Sequence, residues 1–235
     1  MNKLTEYSRE WEKNIRIDSS DRRRRIGIRI EDGIVVLLVP AGFSAVRLRR
    51  IVVDNRDLID RMLAAAAGRP APRPMPPVEH GASFPLLGVE YPIAVDPLSR
   101  LAPRLEEGVI KLSGRDDRLP AQLLAFYRRQ AADILSAKVA AAAGLYRIEV
   151  GEIKINSAAS RWGSCSSDGN LNFSWKLILC ADPLVDYVVA HELAHRFEMN
   201  HSPAFWQNVA KLCPRYRVWE KLLRDEGERF RNWNF

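Results

Sequence analysis

Long apolar runs and an apolar leader are both absent from this 235-residue chain. No stretch approaches the roughly 20 apolar residues that span a bilayer. The opening segment, MNKLTEYSREWEKNIRI, is charged throughout, unlike the apolar core of a secretory signal. We therefore expect no membrane partner and predict a soluble protein located in the cytoplasm.

Cysteine is scarce as well. The chain has three cysteines, an odd number, and no C-x-x-C spacing: Cys165, Cys180 and Cys213. This pattern excludes a disulfide framework and a zinc cage built from cysteine. A glycine-rich phosphate loop is also missing from the sequence. The cysteines are predicted to be reduced thiols packed in the interior.

What the chain does have is enough apolar material for a core, with 47% hydrophobic and 28% charged residues, so disorder is excluded. The net charge of +7 is unevenly distributed, with 25 Lys and Arg against 19 Asp and Glu up to residue 150 and 11 against 10 beyond it. A basic amino-terminal half can attract a nucleotide or a nucleic acid. The dense cluster is short, however, and a solvated basic face is the favoured interpretation of Arg22–Arg25, Arg47, Arg49 and Arg50.

The first half of the chain is predicted to be mainly β. A hairpin with Asp32-Gly33 at its turn is indicated by RIGIRIEDGIVVLLVP, and short strands with turns at Gly88 and Gly108 are indicated further on. One or two helices are expected between residues 44 and 67. Residues 69–77 are proline-rich and predict a stiff, extended connector.

The second half changes character near residue 116 and is predicted to be mainly helical around a few strands. A long helix is expected over residues 120–143, closed by Gly144, and a strand in RIEVGEIKI. The segment RWGSCSSDGNLNFSW predicts two strands about a turn ending at Gly169. Asp182-Pro183 and Ser202-Pro203 each predict a helix start, with Asp or Ser as the cap and Pro at the first helical position. The helix that begins at Asp182 is expected to run through the histidine cluster. We therefore predict an α+β protein with a β-rich domain over 1–115 and a second domain over 116–235.

Three of the four histidines fall within the segment HELAHRFEMNH. His191 and His195 are four residues apart on a predicted helix, so their rings project from one face and can share one tetrahedral ion. This is the H-E-x-x-H arrangement. Glu192 lies beside the ligand stripe, where its carboxylate can reach a metal-bound water without filling a coordination position.

Glu198 and His201 compete as third ligand. At about 1.5 Å per residue, Glu198 on a continued helix would lie roughly 10 Å along the axis from His191, too far for both to bind one ion. His201 follows Asn200, a residue that tolerates the left-handed conformation with which helices end. We therefore predict metal ligands at His191, His195 and His201, leaving Glu198 as an outer partner or a helix-end carboxylate.

The apolar flanks in DYVVAHELAH indicate burial, and burying imidazoles with a carboxylate is costly unless an ion satisfies them. With three protein ligands and one open position, the expected ion is Zn²⁺ acting on water, with Glu192 as general base. A structural zinc site usually has four protein ligands, and no fourth ligand is evident nearby in sequence.

These motifs, RWGSCSSDGNLNFSW followed by DYVVAHELAHRFEMNHSPAFW and CPRY, resemble the YgjP-like metal-dependent hydrolases, relatives of the WLM and SprT-like zinc metalloproteases. The resemblance implies a compact zincin-like carboxy-terminal domain with an H-E-x-x-H active-site helix behind a small β-rich domain. The spacing to His201 also equals that of metzincins, whose pattern has Gly where this chain has Glu198. That departure favours the YgjP-like interpretation.

The resemblance implies a zinc metallopeptidase acting on a peptide or protein, but relatives are described variously as peptidases, DNA-linked proteases and a nucleotide pyrophosphatase. Two alternatives therefore stay open: hydrolysis of nucleoside triphosphates, and a nucleic-acid-binding module with a structural zinc. The RWGSC hairpin either presents an edge strand to an extended peptide or forms part of the core. Arg161 is a candidate for binding a carboxylate or phosphate, although a surface ion pair is more usual; Trp162 and Trp175 are expected to be packing residues.

Overall fold

A computed structural model describes residues 10–31, 33–67, 74–114, 116–158, 161–230, 233 and 235. The chain divides into two compact units, residues 1–69 and residues 70–235. The predicted boundary near residue 115 falls within the second unit. A division by compactness does not decide whether residues 1–115 fold independently, so that boundary stays a prediction. Most of the predicted proline-rich connector lies outside the described residues.

Among its described residues, the first unit has a three-stranded sheet and two α-helices. Its strands are β1 (Ile15–Ser20), β2 (Gly27–Glu31) and β3 (Ile34–Pro40), and its helices are α1 (Ala45–Asp54) and α2 (Arg56–Ala67). β3 is central, antiparallel to β2 and parallel to β1. Apolar residues of β3 pack with one face of each helix to form the core of this unit. The pairing of the hairpin strands and the helices predicted from the sequence are confirmed, whereas Asp32 of the predicted turn lies outside the described residues.

In the part of the second unit that the structure describes there are two sheets and four α-helices. One sheet has the order β4-β5-β7-β6, from β4 (Ser83–Leu86), β5 (Val89–Asp96), β6 (Arg104–Glu106) and β7 (Val109–Ser113). The other has the order β8-β10-β9, from β8 (Ile153–Asn156), β9 (Gly163–Cys165) and β10 (Leu171–Ser174). The helices are α3 (Leu119–Tyr146), α4 (Asp182–Ala194), α5 (Pro203–Leu212) and α6 (Tyr216–Glu228). The α+β class is therefore confirmed, and no described helix is long and apolar enough to cross a membrane.

The start of α4 is fixed by the β4–β5 hairpin. Leu87 and Gly88 form its two-residue turn, both with positive φ, and the Leu87 amide donates to the Ile178 carbonyl at 2.7 Å. A Cβ on Gly88 would lie 2.8 Å from the Cα of Ala181, the residue that precedes α4. Only glycine allows both this backbone conformation and this close approach. The hairpin thereby positions the helix that carries the histidines.

Two helix ends differ from the sequence prediction. The long helix continues through Gly144 and ends at Tyr146. Its cap is Arg147, which adopts the left-handed conformation with φ 54° and donates its amide to the Ala143 carbonyl. A glycine in a last helical turn is therefore not proof of a cap. α4 begins at Asp182 with Ala181 as its cap, so Asp182 lies inside the first turn and pairs with Lys138 at 2.8 Å instead of capping.

Tyr127 makes a buried hydrogen bond that should stabilise the core of the second unit. Its ring is fully buried between aromatic neighbours, and its hydroxyl donates to the Pro85 carbonyl at 2.8 Å. We expect Tyr127→Phe to lower the free energy of unfolding by about 1 to 2 kcal/mol, because a buried carbonyl loses a donor. Tyr146→Phe removes an exposed bond to the Lys211 carbonyl and is expected to cost less than about 0.5 kcal/mol. Equal urea midpoints for the two variants would contradict this assignment.

Candidate metal centre

α4 carries His191 and Glu192 into the interior of the second unit. The helix is buried on nearly every side, and most of its residues from Leu184 to Ala194 are apolar and buried. It ends at Ala194, earlier than predicted, and His195 is its carboxy-terminal cap with φ −64° and ψ −16°. Because this conformation is still helical, His195 keeps the one-turn spacing from His191 that the H-E-x-x-H pattern predicts.

The chain returns to the site through a side-chain turn at Asn200. Its Oδ1 accepts a hydrogen bond from the Ser202 amide at 2.9 Å. Asn200 does not have a positive φ, so the predicted left-handed conformation is wrong. The Asn side chain turns the backbone instead, by mimicking a backbone acceptor. Ser202 then caps α5 by accepting from the Phe205 amide at 3.3 Å, as predicted.

This turn brings His201 against the other two histidines. Ligand nitrogens of His191, His195 and His201 lie within 4.8 Å of one another. The Nε2 atoms of His191 and His201 are 3.1 Å apart. Two nitrogens bound to one tetrahedral zinc at about 2.0 to 2.1 Å are separated by about 3.3 Å. The spacing therefore fits two imidazoles that face the same small cation.

Hydrogen bonding at His195 fits the same interpretation. Its Nδ1 lies 3.2 Å from the carbonyl oxygen of Glu198, so the proton is on Nδ1 and Nε2 is left with its lone pair. Metal-binding histidines commonly donate their second nitrogen to a carbonyl or a carboxylate in this way. Glu198, which the sequence left as an outer partner or a helix-end carboxylate, therefore contacts His195 through its backbone carbonyl. His191 Nδ1 is buried and has no hydrogen-bond partner within the described part of the chain.

A wall of two aromatic rings from α5 borders the histidines. The fully buried Phe205 has its ring centre 4.5 to 4.9 Å from those of His191, His195 and His201, and Trp206 contacts His191 and His201 at 5.8 and 6.0 Å. Burial lowers the pKa of His191 to about 4, and it also lowers the pKa of His195. Both imidazoles are therefore neutral at pH 7, which is the form that binds a metal ion.

Glu192 is buried beside this cluster, with 5% of its surface exposed. Burial raises its pKa to about 7, and the positive charge of Arg161 opposes that rise. A Cβ on Gly163 would lie 2.6 Å from Glu192 Oε1 and 2.7 Å from its Cγ, so the carboxylate fills the space that this glycine leaves open. The side chain is thereby held between α4 and β9.

The other candidate residues lie around this centre. Arg161 is exposed and forms no ion pair within the described residues. Trp175 is buried, as predicted, and Trp162 packs so closely on α6 that a Cβ on Gly227 would lie 2.4 Å from its ring. His80 accepts from the Val95 amide and does not belong to the cluster.

Sequence reasoning missed the roles of Phe205, Trp206 and Gly163. The two aromatic residues lie four and five residues after His201, near the start of α5, but nothing in the sequence indicates that their rings contact the histidines. Gly163 did give a signal, because a glycine inside a short strand often marks a close approach by another group.

A scan against protein families finds that the model described as the YgjP-like metallopeptidase domain matches residues 24–226. No curated protein matches the chain. A solved structure described as the crystal structure of the metallopeptidase zymogen of Pyrococcus abyssi abylysin is similar at 18% identity, covering 38% of this chain and 92% of that chain with a TM-score of 0.35. A likeness this weak carries no argument about the fold or the activity.

Proposed function

The chain belongs to the YgjP-like metallopeptidase family and is a hydrolase, and from this premise we propose that it is a zinc-dependent peptidase. In this proposal His191, His195 and His201 hold the metal ion and Glu192 is the general base. The proposed fold of the catalytic part is zincin-like, with α4 as its active-site helix. We also propose that the enzyme acts in the cytoplasm.

The observation that carries the proposal is the convergence of three imidazoles beside a buried carboxylate. Among the described residues, the only group of histidine, cysteine or acidic side chains placed to hold a metal ion is this one, with three members. Three protein ligands leave a tetrahedral ion one open position, as in catalytic zinc sites, whereas structural sites are usually filled by four. Nitrogen ligands in this geometry suit Zn²⁺.

The chemistry then divides between the ion and the chain. A bound zinc ion would lower the pKa of water from about 15.7 to around 7 and polarise the carbonyl under attack. Glu192 accepts the proton of the attacking water and passes it to the leaving amine. Gly163 leaves the space in which this carboxylate is held, and the Glu198 carbonyl orients His195. The buried ring of Phe205 limits the access of water to the imidazoles.

The substrate is proposed to be an extended peptide paired with β9. Among the described strands, β9 pairs only with β10 and is therefore an edge of its sheet. An edge strand offers unpaired backbone groups to which an extended peptide can add as a further strand. Because Gly163 on β9 touches Glu192, a peptide on this edge would pass close to the general base.

The test is to purify the protein and the Glu192→Gln variant, measure zinc, and compare both on three substrate classes. These are an unfolded protein with and without single-stranded DNA, a nucleoside triphosphate, and DNA alone. We expect one zinc per chain in both proteins and cleavage of the unfolded protein by the wild type only. Release of pyrophosphate by the wild type, or salt-dependent DNA binding without any hydrolysis, would favour the two alternatives and overturn the proposal.

Gly163→Ala is expected to lower kcat by up to about 100-fold while zinc stays bound. The added methyl group would overlap the Glu192 carboxylate, and a displacement of about 1 Å near the reacting atoms can cost that much. Gly144→Ala is the matched control, because a Cβ there meets no atom within 4 Å and the residue lies within α3. Normal turnover by Gly163→Ala would show that Glu192 does not need its present position.

A further inference from the structure

A second feature adjoins the metal centre. An open groove of about 710 Å³ lies between α5 and the segment that leads from α5 into α6. Trp206 lines this groove and also contacts the rings of His191 and His201. The Trp206 ring therefore borders both the groove and the metal centre. A peptide whose cleaved bond lies at the metal centre could extend directly into the groove.

The groove combines an aromatic wall with two positive charges. Trp206 stacks on Tyr216 with ring centres 5.4 Å apart and an angle of 20° between the ring planes. Arg217 donates through Nε to the Tyr216 hydroxyl at 3.2 Å, and the guanidinium carbon of Arg215 lies 5.0 Å from the centre of the Trp219 ring. Stacking and hydrogen bonding of this kind hold guanidinium groups in place.

Arg215 and Arg217 are both exposed, and neither forms an ion pair within the described residues. Within that part of the chain, Glu220 attracts the Arg217 guanidinium electrostatically but forms no ion pair with it. Glu220, the acidic residue one turn further along α6, lies 3.8 Å from Arg224. Arginine is well suited to bind a carboxylate in a two-pronged arrangement. The groove therefore offers aromatic surface and two exposed guanidinium groups that form no ion pair within the described residues, and Trp206 joins it to the metal centre.

We propose that this groove is a specificity subsite, in which Arg215 and Arg217 bind an acidic side chain of the peptide substrate. This inference rests on the proposed peptidase activity. The residue that is bound lies away from the cleaved bond, on the side of the site where Trp206 contacts His201. The two arginines bind and position the substrate and do not touch the reacting atoms.

The test uses a peptide that the wild type cleaves, taken from the products of an unfolded protein, with Glu or Gln placed at successive positions on either side of the cleaved bond. We expect kcat/KM to be about tenfold higher for Glu than for Gln at one position. The double variant Arg215→Gln/Arg217→Gln should lose this preference, with each arginine contributing up to about fivefold. Lys221→Gln, which removes an exposed charge further along α6, should keep it.

Three further arms make the outcome decisive. Amidating the carboxy terminus of the peptide should leave the preference intact, and its disappearance would assign the groove to a terminal carboxylate and overturn the side-chain assignment. Equal rates for Glu and Gln peptides in the wild type would overturn the subsite altogether. In a competition experiment, the subsite would also be overturned if a nucleoside triphosphate displaced the bound peptide and a second acidic peptide did not. Binding of the labelled Glu peptide to Glu192→Gln, measured by fluorescence anisotropy, reports on the groove without turnover. Tight, arginine-dependent binding alongside a wild type that hydrolyses nothing would refute the peptidase and leave the groove standing.

Discussion

Glu192→Gln is expected to reduce peptide hydrolysis by about 1,000-fold or more while the zinc content stays at that of the wild type. General base catalysis contributes about 100-fold to 10,000-fold, and an amide cannot accept the proton of the attacking water. The substitution preserves the shape of the side chain in its space against Gly163. It also removes a buried acid whose pKa burial raises to about 7, so the melting temperature should be unchanged or higher.

Glu198→Gln is the matched control for this experiment. Glu198 is also close to His195, but its backbone carbonyl makes the contact, so a change of the side chain should leave both zinc and turnover near wild-type values. If Glu192→Gln kept a tenth of the activity, Glu192 would not be the base. If it lost zinc instead, Glu192 would have to be a ligand, and the assignment of the three histidines would be incomplete.

The candidate metal centre was more predictable from the sequence than the structure around it. The four-residue spacing of His191 and His195 depends only on helical periodicity, and that periodicity holds even though α4 ends at Ala194. The sequence analysis correctly placed His201 beside the other two histidines, but it assigned the wrong conformation to the turn at Asn200. Asn200 turns the chain through its side-chain oxygen and not through a left-handed backbone. Asn permits both turns, and sequence alone does not distinguish them.

Contacts between residues distant in sequence could not be predicted from the sequence pattern. The fit of Glu192 against Gly163 joins a helix to a strand that precedes it by almost 30 residues. The glycine signals a close approach, but nothing local to it identifies Glu192 as the group that approaches. The same holds for the hairpin turn at Gly88 that meets the start of α4. By contrast, the turns themselves were predictable, because glycine at positive φ is a local requirement.

His201→Ala is expected to remove zinc and, with it, all measurable hydrolysis. In the proposed site His201 supplies one of three ligands. Loss of an outer partner alone costs about 10- to 100-fold in metal affinity, so loss of a direct ligand should cost more than about 100-fold. The residue is exposed and lies between two helices, so its truncation opens no cavity in the core. The folded state should therefore persist without the metal ion.

Thermal unfolding with and without added zinc separates loss of the metal from loss of the fold. At a zinc concentration of about 100 times the wild-type Kd, binding stabilises the wild type by about 2.7 kcal/mol, or roughly 5 to 10 °C for a chain of this size. If the Kd of His201→Ala is 100-fold higher, the gain at the same concentration falls to about 0.4 kcal/mol, and the zinc-dependent shift nearly disappears. His80→Ala, which removes a histidine outside the cluster, should keep the full shift. An undiminished shift in His201→Ala would mean that His201 does not bind the ion, and a lower melting temperature in the absence of zinc would mean that its role is structural.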